Sequence, residues 1–300
     1  MRSPSYTTSE KTRIRGKTQG LWHLVVLLPI ALCLFTSLVN GQRIAILAPD
    51  KTQQSRTFAD QLSAALGHKL KVLDGDMAAA AFNSNAPPDP FNMTVSEAKL
   101  VGTTIGCDLF VLIRSAIQRR SASGRGDYYE AYAAVYLVSS RTGRLVDWRL
   151  QKFEEREDAK ASKMLDNSIA QLSADVALKA ESVVKAELVE SPPPIMEEPP
   201  DDASPVAKNF RAPIPYRRVK PEYTLLANLY SIAATVELAV DLDPSGTITR
   251  TEITRWAGFG LDEAVEKTVR SMNWRPAERD GKTLPMRFLV RYNFKKIEKE

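Results

Sequence analysis

The sequence predicts an α/β (α+β) protein of two domains. One is an α/β sandwich with a mixed sheet, in two or three layers, over residues 42–188. The other is a small β-β-α-β domain over 216–297. Three observations carry this. The runs "RIAILA" and "DLFVLI" are apolar on both faces, as strands covered above and below must be. After residue 230 two alternating runs, one amphipathic helix and a last alternating run come in order. Between the two patterns, 189–215 is dense in proline and poor in apolar residues, the composition of a spacer that cannot bury a core.

The chain opens with a basic tail, residues 1–20, carrying Arg2, Lys11, Arg13, Arg15 and Lys17, and then the apolar run 21–41. The charges hold the start of the chain in the cytoplasm and send the residues beyond 41 outward. Two readings of 21–41 stand side by side: a signal peptide cleaved after "VNG", and an uncleaved transmembrane anchor that keeps 21–40 in the membrane.

In the first domain "RIAILA" begins the sheet. "SRTFADQLSAALG" is next, a helix with Phe58, Leu62, Ala65 and Leu66 on one face and Gly67 at its end. "KLKVLD" alternates as a strand. Thr94 can cap a helix running to Thr104, and "DLFVLI" returns to the sheet. "DYYEAYAAVYLV" and "GRLVDWRLQKF" form a hairpin around "SSRTG", and 159–187 reads as one long helix with Leu165, Ile169, Leu172, Val176, Ala180 and Val183 as its stripe. Tyr128, Tyr132 and Tyr136 share one strand face, where they are expected to pack under a helix with their hydroxyls at the edge. Arg119, Arg120 and Arg125 mark a solvated hairpin tip.

In the second domain "SIAATVELAVDL" places Ile232 to Leu242 on one face at every second residue. "DPSG" turns the chain, and "TITRTEITRW" returns with a phase shift between Ile248 and Ile253 that implies a bulge. "GLDEAVEKTVRSM" is an amphipathic helix with Asp262 and Glu263 in its first turn and Arg270 in its last, matching the dipole. "MRFLVRYNF" is the last strand, with Met286, Phe288, Val290, Tyr292 and Phe294 inward and Arg287, Leu289, Arg291 and Asn293 outward.

Composition excludes several functions. The chain has 300 residues, 44% hydrophobic and 26% charged, which suits globular domains with separate cores. Net charge is +5, much of it in the N-terminal tail, so the remainder offers no nucleic-acid footprint. The cysteines are Cys33, in the apolar run, and Cys107, beside a core strand, so no disulfide joins them. His23 and His68 stand far apart without metal-ligand neighbours. No nucleophile, base and orienter share a useful spacing, so no catalytic residue, metal or cofactor is expected and the protein is not an enzyme.

Residues 217–295 resemble the TonB C-terminal domain. The residues that carry the resemblance are Pro221 and Tyr223, Gly246, Gly260-Leu261-Asp262 with Ala264, Trp274 with Pro276-Ala277, Gly281 and Phe294. Residues 42–188 resemble the N-terminal domain of TolB and the CsgG-like periplasmic α/β domains through "RIAIL", "FADQLSAAL", "GCDLFVLI" and "AVYLVSSRTGRLV". The TonB resemblance implies a protein of the Gram-negative-type cell envelope, in the periplasm, either anchored in the inner membrane or released by signal cleavage. Its partner would be an extended peptide segment of an outer-membrane TonB-dependent transporter, added as a strand to the edge at about 285–294. Arg287, Leu289, Arg291 and Asn293 would flank that peptide, and Arg287, Arg291, Arg217 and Arg218 would steer charge. The same arginines also serve edge protection. Inner-membrane motor proteins are the second partner class implied, with energy passed to the transporter. Against this, His23 and Ser37 sit near opposite ends of the apolar run, unlike the Ser and His of TonB energy transducers, and a folded domain precedes the linker. The alternative reading is an envelope protein-binding or assembly module without proton-motive coupling.

Overall fold

The computed structural model describes residues 41–295 apart from Ser123, Arg125 and Asp202. The apolar run 21–40 and the basic tail lie outside the described residues. Among the described residues no helix is long and apolar enough to cross a membrane.

The N-terminal part runs β1 (Arg43–Leu47), α1 (Gln53–Leu66), β2 (Lys71–Val72), α2 (Gly75–Ser84), α3 (Val95–Ile105), β3 (Leu109–Ala122), β4 (Gly126–Ser139), β5 (Leu145–Glu155), α4 (Asp158–Asn167) and α5 (Ile169–Val189). Its sheet has the order β2-β1-β3-β4-β5, parallel among the first three strands and antiparallel after them, so it is mixed, as expected. Thr94 caps α3 in a reciprocal box with Glu97. Helix α2, capped by Asp74, has no counterpart in the sequence reading, because its "MAAAA" run gives almost no periodic contrast. The stretch read as one long helix breaks at Ser168. Ala161 and Leu165 of α4 and Leu172, Val176 and Ala180 of α5 still join one core.

The two faces of this sheet are closed differently. Ile44, Ile46, Leu109, Val111, Ala133 and Val135 face α1, α4 and α5. Ala45, Leu47, Phe110 and Leu112 face the other way, toward α2 and α3, which reach only part of that face. The strip carrying Tyr136, Trp148 and Leu150 on β4 and β5 is covered by the C-terminal part of the chain.

That part runs β6 (Phe210–Arg211), β7 (Ile214–Pro215), α6 (Leu225–Leu229), β8 (Ala234–Leu242), β9 (Ile248–Arg255), α7 (Leu261–Ser271), β10 (Trp274–Arg275), β11 (Ala277–Arg279), β12 (Lys282–Leu284) and β13 (Met286–Phe294). Its main sheet has the order β13-β8-β9, both pairings antiparallel. Leu261, Val265 and Val269 of α7 pack on Val236, Leu238, Val240 and Leu242. The expected phase shift in β9 appears as two register slips, which leave Thr249 and Thr254 unpaired with β8.

Two expectations change here. The sequence suggests a separate core for each half. Instead one hydrophobic cluster runs from Phe91, Met93 and Tyr136 into Trp256, Phe259 and the β8–α7 packing, and the described residues from Gln42 onward form one compact unit. The reason is the uncovered strip of sheet, which exposes aromatic surface unless something seats on it. Tyr132 and Tyr136 accordingly pack not under a helix but against Tyr230 and Trp256, at ring-centroid distances of 4.8 and 5.9 Å. The span 189–215, read as a plain spacer, also docks. β6 pairs with β11 and β7 with β10. Its prolines exclude a core of its own but not short ladders on another element.

Trp256 is fully buried, and Trp→Ala at such a site costs about 3 to 5 kcal/mol. We expect heat to unfold 42–295 in one cooperative transition, and Trp256→Ala to lower its midpoint and separate the N-terminal from the C-terminal signal. Calorimetry that resolves two transitions in the parent chain refutes the shared core.

Candidate functional site: the seat and free edge of the C-terminal sheet

The loop Trp256-Ala-Gly-Phe-Gly joins β9 to α7 and forms the seat. The Trp256 indole Nε1 donates to the Gly143 carbonyl at 3.1 Å, and the Trp256 amide donates to the Met93 carbonyl at 3.2 Å. Phe259 lies 4.6 Å from the Trp148 ring. Gly258 has φ +71°, and a Cβ there would stand 2.7 Å from Trp148 Cδ1, so the loop needs glycine for both its conformation and its approach. Buried Asn92 donates its amide to the carbonyls of Thr235 and Trp256 at 2.8 and 2.7 Å, and accepts from the Thr235 amide at 2.9 Å. Three of its four hydrogen-bonding positions are thereby filled from the C-terminal part.

Asp262 fixes this loop from the other side. Its carboxyl accepts from the amides of Ala257 and Gly258 at 2.9 and 2.8 Å. Burial pushes its pKa up to about 7, against the pull of those two amides. The sequence suggests a role for Asp262 in the helix dipole. Its larger role is to hold the loop that holds the seat.

The other signature residues build the frame. Gly246 has φ +86°, and a Cβ there would stand 2.2 Å from the Trp274 carbonyl oxygen. Trp274 is buried, 4.9 Å from the Phe288 ring, and its indole donates to the Val269 carbonyl at 3.3 Å. Pro276 lies against the Gly246 turn, Ala277 is buried in β11, and Gly281 turns β11 into β12. Tyr223 stacks on Phe294 at 6.2 Å, and its hydroxyl lies 3.0 and 2.9 Å from the carbonyls of Ala227 and Ile232. Pro221 is half-buried just before it, Gly260 is the left-handed N-cap of α7, Leu261 is buried and Ala264 half-buried beneath the helix.

The free edge belongs to β13. Met286 to Phe294 pair with β8 along their whole length. The Arg287 amide points away from β8, since it donates at 2.8 Å to the Glu197 carbonyl. Alternation along a strand then turns the backbone groups of Leu289, Arg291 and Asn293 to the same side. Among the described residues no strand pairs with them there. The opposite side of the sheet is stapled to the N-terminal part by a bridge between Thr94 and Arg255.

The outward side chains do not act as the sequence suggested. Arg287 forms a forked pair with both oxygens of Asp241 at 2.6 and 2.7 Å, and Asp241 is buried. Arg291 pairs with Glu237 at 2.7 Å, which Arg255 also approaches at 3.6 Å. Both arginines are neutralised within the sheet. Of the four residues expected to steer charge, only Arg217 and Arg218 stand exposed with no carboxylate paired to them among the described residues. Asn293 accepts from the Thr235 hydroxyl at 2.7 Å, and Leu289 is 51% exposed at the middle of the edge. Beside it a cleft of ≈840 Å³ opens, lined by Val95, Pro199, Pro213, Ala239 and Leu289 among others.

Known proteins agree with this geometry. Residues 219–295 match the family described as the C-terminal part of the Gram-negative bacterial TonB protein. The C-terminal part is a TonB-type domain. A TonB C-terminal domain from Pseudomonas aeruginosa, solved by NMR in solution, is 20% identical, with 31% of this chain and 91% of that one covered and a TM-score of 0.25. The lipoprotein GNA1162 from Neisseria meningitidis is 14% identical over 45% of this chain and 98% of that one, with a TM-score of 0.32. A PelC dodecamer from Paraburkholderia phytofirmans is 12% identical over 47% and 91%, with a TM-score of 0.29. No curated protein matches the chain. The TonB-type domain marks a TonB-like protein of the Gram-negative envelope, a kind that binds rather than catalyses.

Sequence reasoning passed over Trp256, Asn92 and Glu197. For Trp256 a signal was present: an aromatic and glycine-rich loop ahead of the TonB-type signature, in a chain that also carries an unassigned tyrosine stripe. A lone Asn and a Glu between prolines carry none.

Two measurements test these roles. Arg287→Ala leaves the Asp241 carboxylate buried and unpaired, and should cost about 3 kcal/mol or more of stability. Arg291→Ala leaves Glu237 with Arg255 and should cost less than about 1 kcal/mol. Denaturant titrations that give equal losses refute the distinction. For Asp262, the folded chain holds its proton more tightly than the unfolded chain, whose aspartates titrate near ~3.9. This contribution to stability is therefore full below about pH 4 and is lost as pH rises through about 7, by at most about 4 kcal/mol. Melting temperatures between pH 4 and 8 should fall less steeply in Asp262→Asn than in the parent, and parallel curves contradict the assignment.

Proposed function

We propose that this is a TonB-family periplasmic protein that binds an extended N-terminal segment of an outer-membrane transporter by adding it as a strand to β13. The observation that carries the reading is the alternation of β13. One set of backbone groups is consumed by β8, and the other set, at Leu289, Arg291 and Asn293, faces outward from a TonB-type sheet whose opposite side is stapled shut. Main-chain pairing supplies the affinity, and the exposed Leu289 with the adjoining cleft supplies pockets for alternate side chains of the peptide. Arg217 and Arg218 add long-range attraction for an acidic segment, an effect that salt weakens.

A second reading concerns energy. Transmission from inner-membrane motor proteins asks for a retained anchor in 21–41 and a tether that can extend. The docked span 197–215 and the shared core favour instead a binding module that does not transmit force. The N-terminal residue of the mature protein, read from isolated envelopes, separates the two. A start at Gln42 removes the anchor that force transmission requires.

Proline at Leu289 deletes one outward donor of the edge, whereas Arg291→Ala leaves every donor in place. We expect Leu289→Pro to abolish binding of a synthetic transporter N-terminal segment, and Arg291→Ala to weaken it modestly. Circular dichroism checks that both variants are folded. A folded Leu289→Pro variant that binds like the parent means that strand addition does not occur at this edge.

A further inference from the structure

The edge of β13 is not wholly empty. Near its start the Arg287 amide is taken by the carbonyl of Glu197, a residue of the proline-rich span. The carboxylate of the same Glu197 is held by Arg279 of β11. Glu198 and Pro199 continue past this point and line the cleft beside Phe288 and Leu289. One residue thus engages the edge through its backbone and the crossover through its side chain.

The composition of this segment limits how far it can pair. In "SPPPIMEEPPD" the only residues between Pro194 and Pro199 are Ile195, Met196, Glu197 and Glu198. Proline has no N–H to give a ladder, so the segment can fill a rung or two but cannot run the length of the strand. The structure agrees: Glu197 meets Arg287, while Ile195 is fully exposed and the outward groups of Leu289, Arg291 and Asn293 have no strand beside them among the described residues.

We infer that residues 195–199 are a strap that guards the partner-binding edge, occupying its Arg287 end and leaving the 289–293 end as an open landing stretch from which an incoming strand displaces it. This rests on the strand-addition reading above and adds regulation to it. An arriving peptide pairs first at Asn293, Arg291 and Leu289, where nothing competes. To extend to Arg287 it must replace the Glu197 carbonyl, and the Glu197–Arg279 pair loses its backbone support. Binding thereby frees the span that ties α5 to the TonB-type domain. A peptide too short to reach Arg287 binds without releasing the strap.

The test uses the full chain and two variants, Glu197→Ala and one in which residues 195–199 are replaced by Gly-Ser. Exchange of backbone amides, read by NMR, reports the strap directly. The Arg287 amide should be protected in the parent and should exchange faster in the Gly-Ser variant, while Leu289 and Arg291 exchange fast in both. The transporter segment should bind the Gly-Ser variant about three- to tenfold more tightly than the parent, the worth of one hydrogen bond and a half-exposed ion pair. Glu197→Ala should fall between them. Added peptide should also open the Glu197–Glu198 bond of the parent to a glutamate-specific protease. Equal Arg287 exchange in parent and Gly-Ser variant overturns the strap. Equal peptide affinity with strand addition intact overturns the guarding role. A peptide that binds neither chain defeats strand addition at this edge and the guarding role with it, whereas the exchange result still decides whether the strap forms.

Discussion

The contact on which the rest of the molecule depends is the seating of Trp256 and Phe259 against Tyr136 and Trp148. A five-stranded sheet has two faces to close, and the helices of the N-terminal part close only one of them fully. Aromatic side chains of this size each bury on the order of 150–250 Å², so the uncovered strip would expose apolar surface that a soluble chain does not tolerate in one patch. The TonB-type domain closes it. Apolar burial alone is non-directional and would permit several orientations. Asn92 selects one, because its amide is buried and its partners, Thr235 and Trp256, come together only in this arrangement. A rotated domain would leave that amide unpaired, at about 1 to 3 kcal/mol.

The seating also determines which edge of the small sheet is free. A three-stranded sheet has two edges, and both invite pairing with a foreign strand. The β9 edge meets Met93 and Thr94 and is stapled to the N-terminal part. The β13 edge is the one left. Its arginines are taken up by Asp241 and Glu237 on the sheet's outer face, so the edge has little net charge to offer a partner. What it presents is backbone. Recognition by backbone is tolerant of partner sequence, and discrimination falls to the few side chains and the cleft beside the strand.

Much of this was legible in the sequence. The β8–β9–α7–β13 unit was readable because each element is strongly periodic and each turn carries its required residue, such as Gly246 at positive φ. The mixed sheet was readable from strands apolar on both faces. The seat was not, although its parts were visible. Tyr132 and Tyr136 stand on a strand face that periodicity marks as buried, but periodicity does not say whether a helix or a second domain covers it. The docking of 197–215 was hidden for a related reason. Proline density rules out an independent core, yet a short segment needs only a few N–H groups to pair with an existing strand. Glu197 and Arg211 lie on either side of prolines that conceal this. The charge role of Arg287 failed because a cross-strand partner, Asp241, lies 46 residues away in sequence.

The signature residues and the recognition residues therefore divide the work. Gly246, Gly260, Asp262, Trp274, Pro276 and Phe294 all turn inward or fix the backbone, and none of them borders the free edge. A fold that binds by strand addition must specify a straight, braced edge strand, and it can do so without specifying what the edge's side chains are. The motif is then a record of the frame. Partner choice in this chain resides in positions the motif leaves open, Leu289 and Asn293 on the strand and Val95, Pro199 and Pro213 around the cleft. Three of these are contributed by elements outside β13: one by α3 of the N-terminal part and two by the proline-rich span. Docking the TonB-type domain onto the α/β part thus does more than close a core, because it brings α3 alongside the edge and makes the N-terminal part a wall of the partner's cleft.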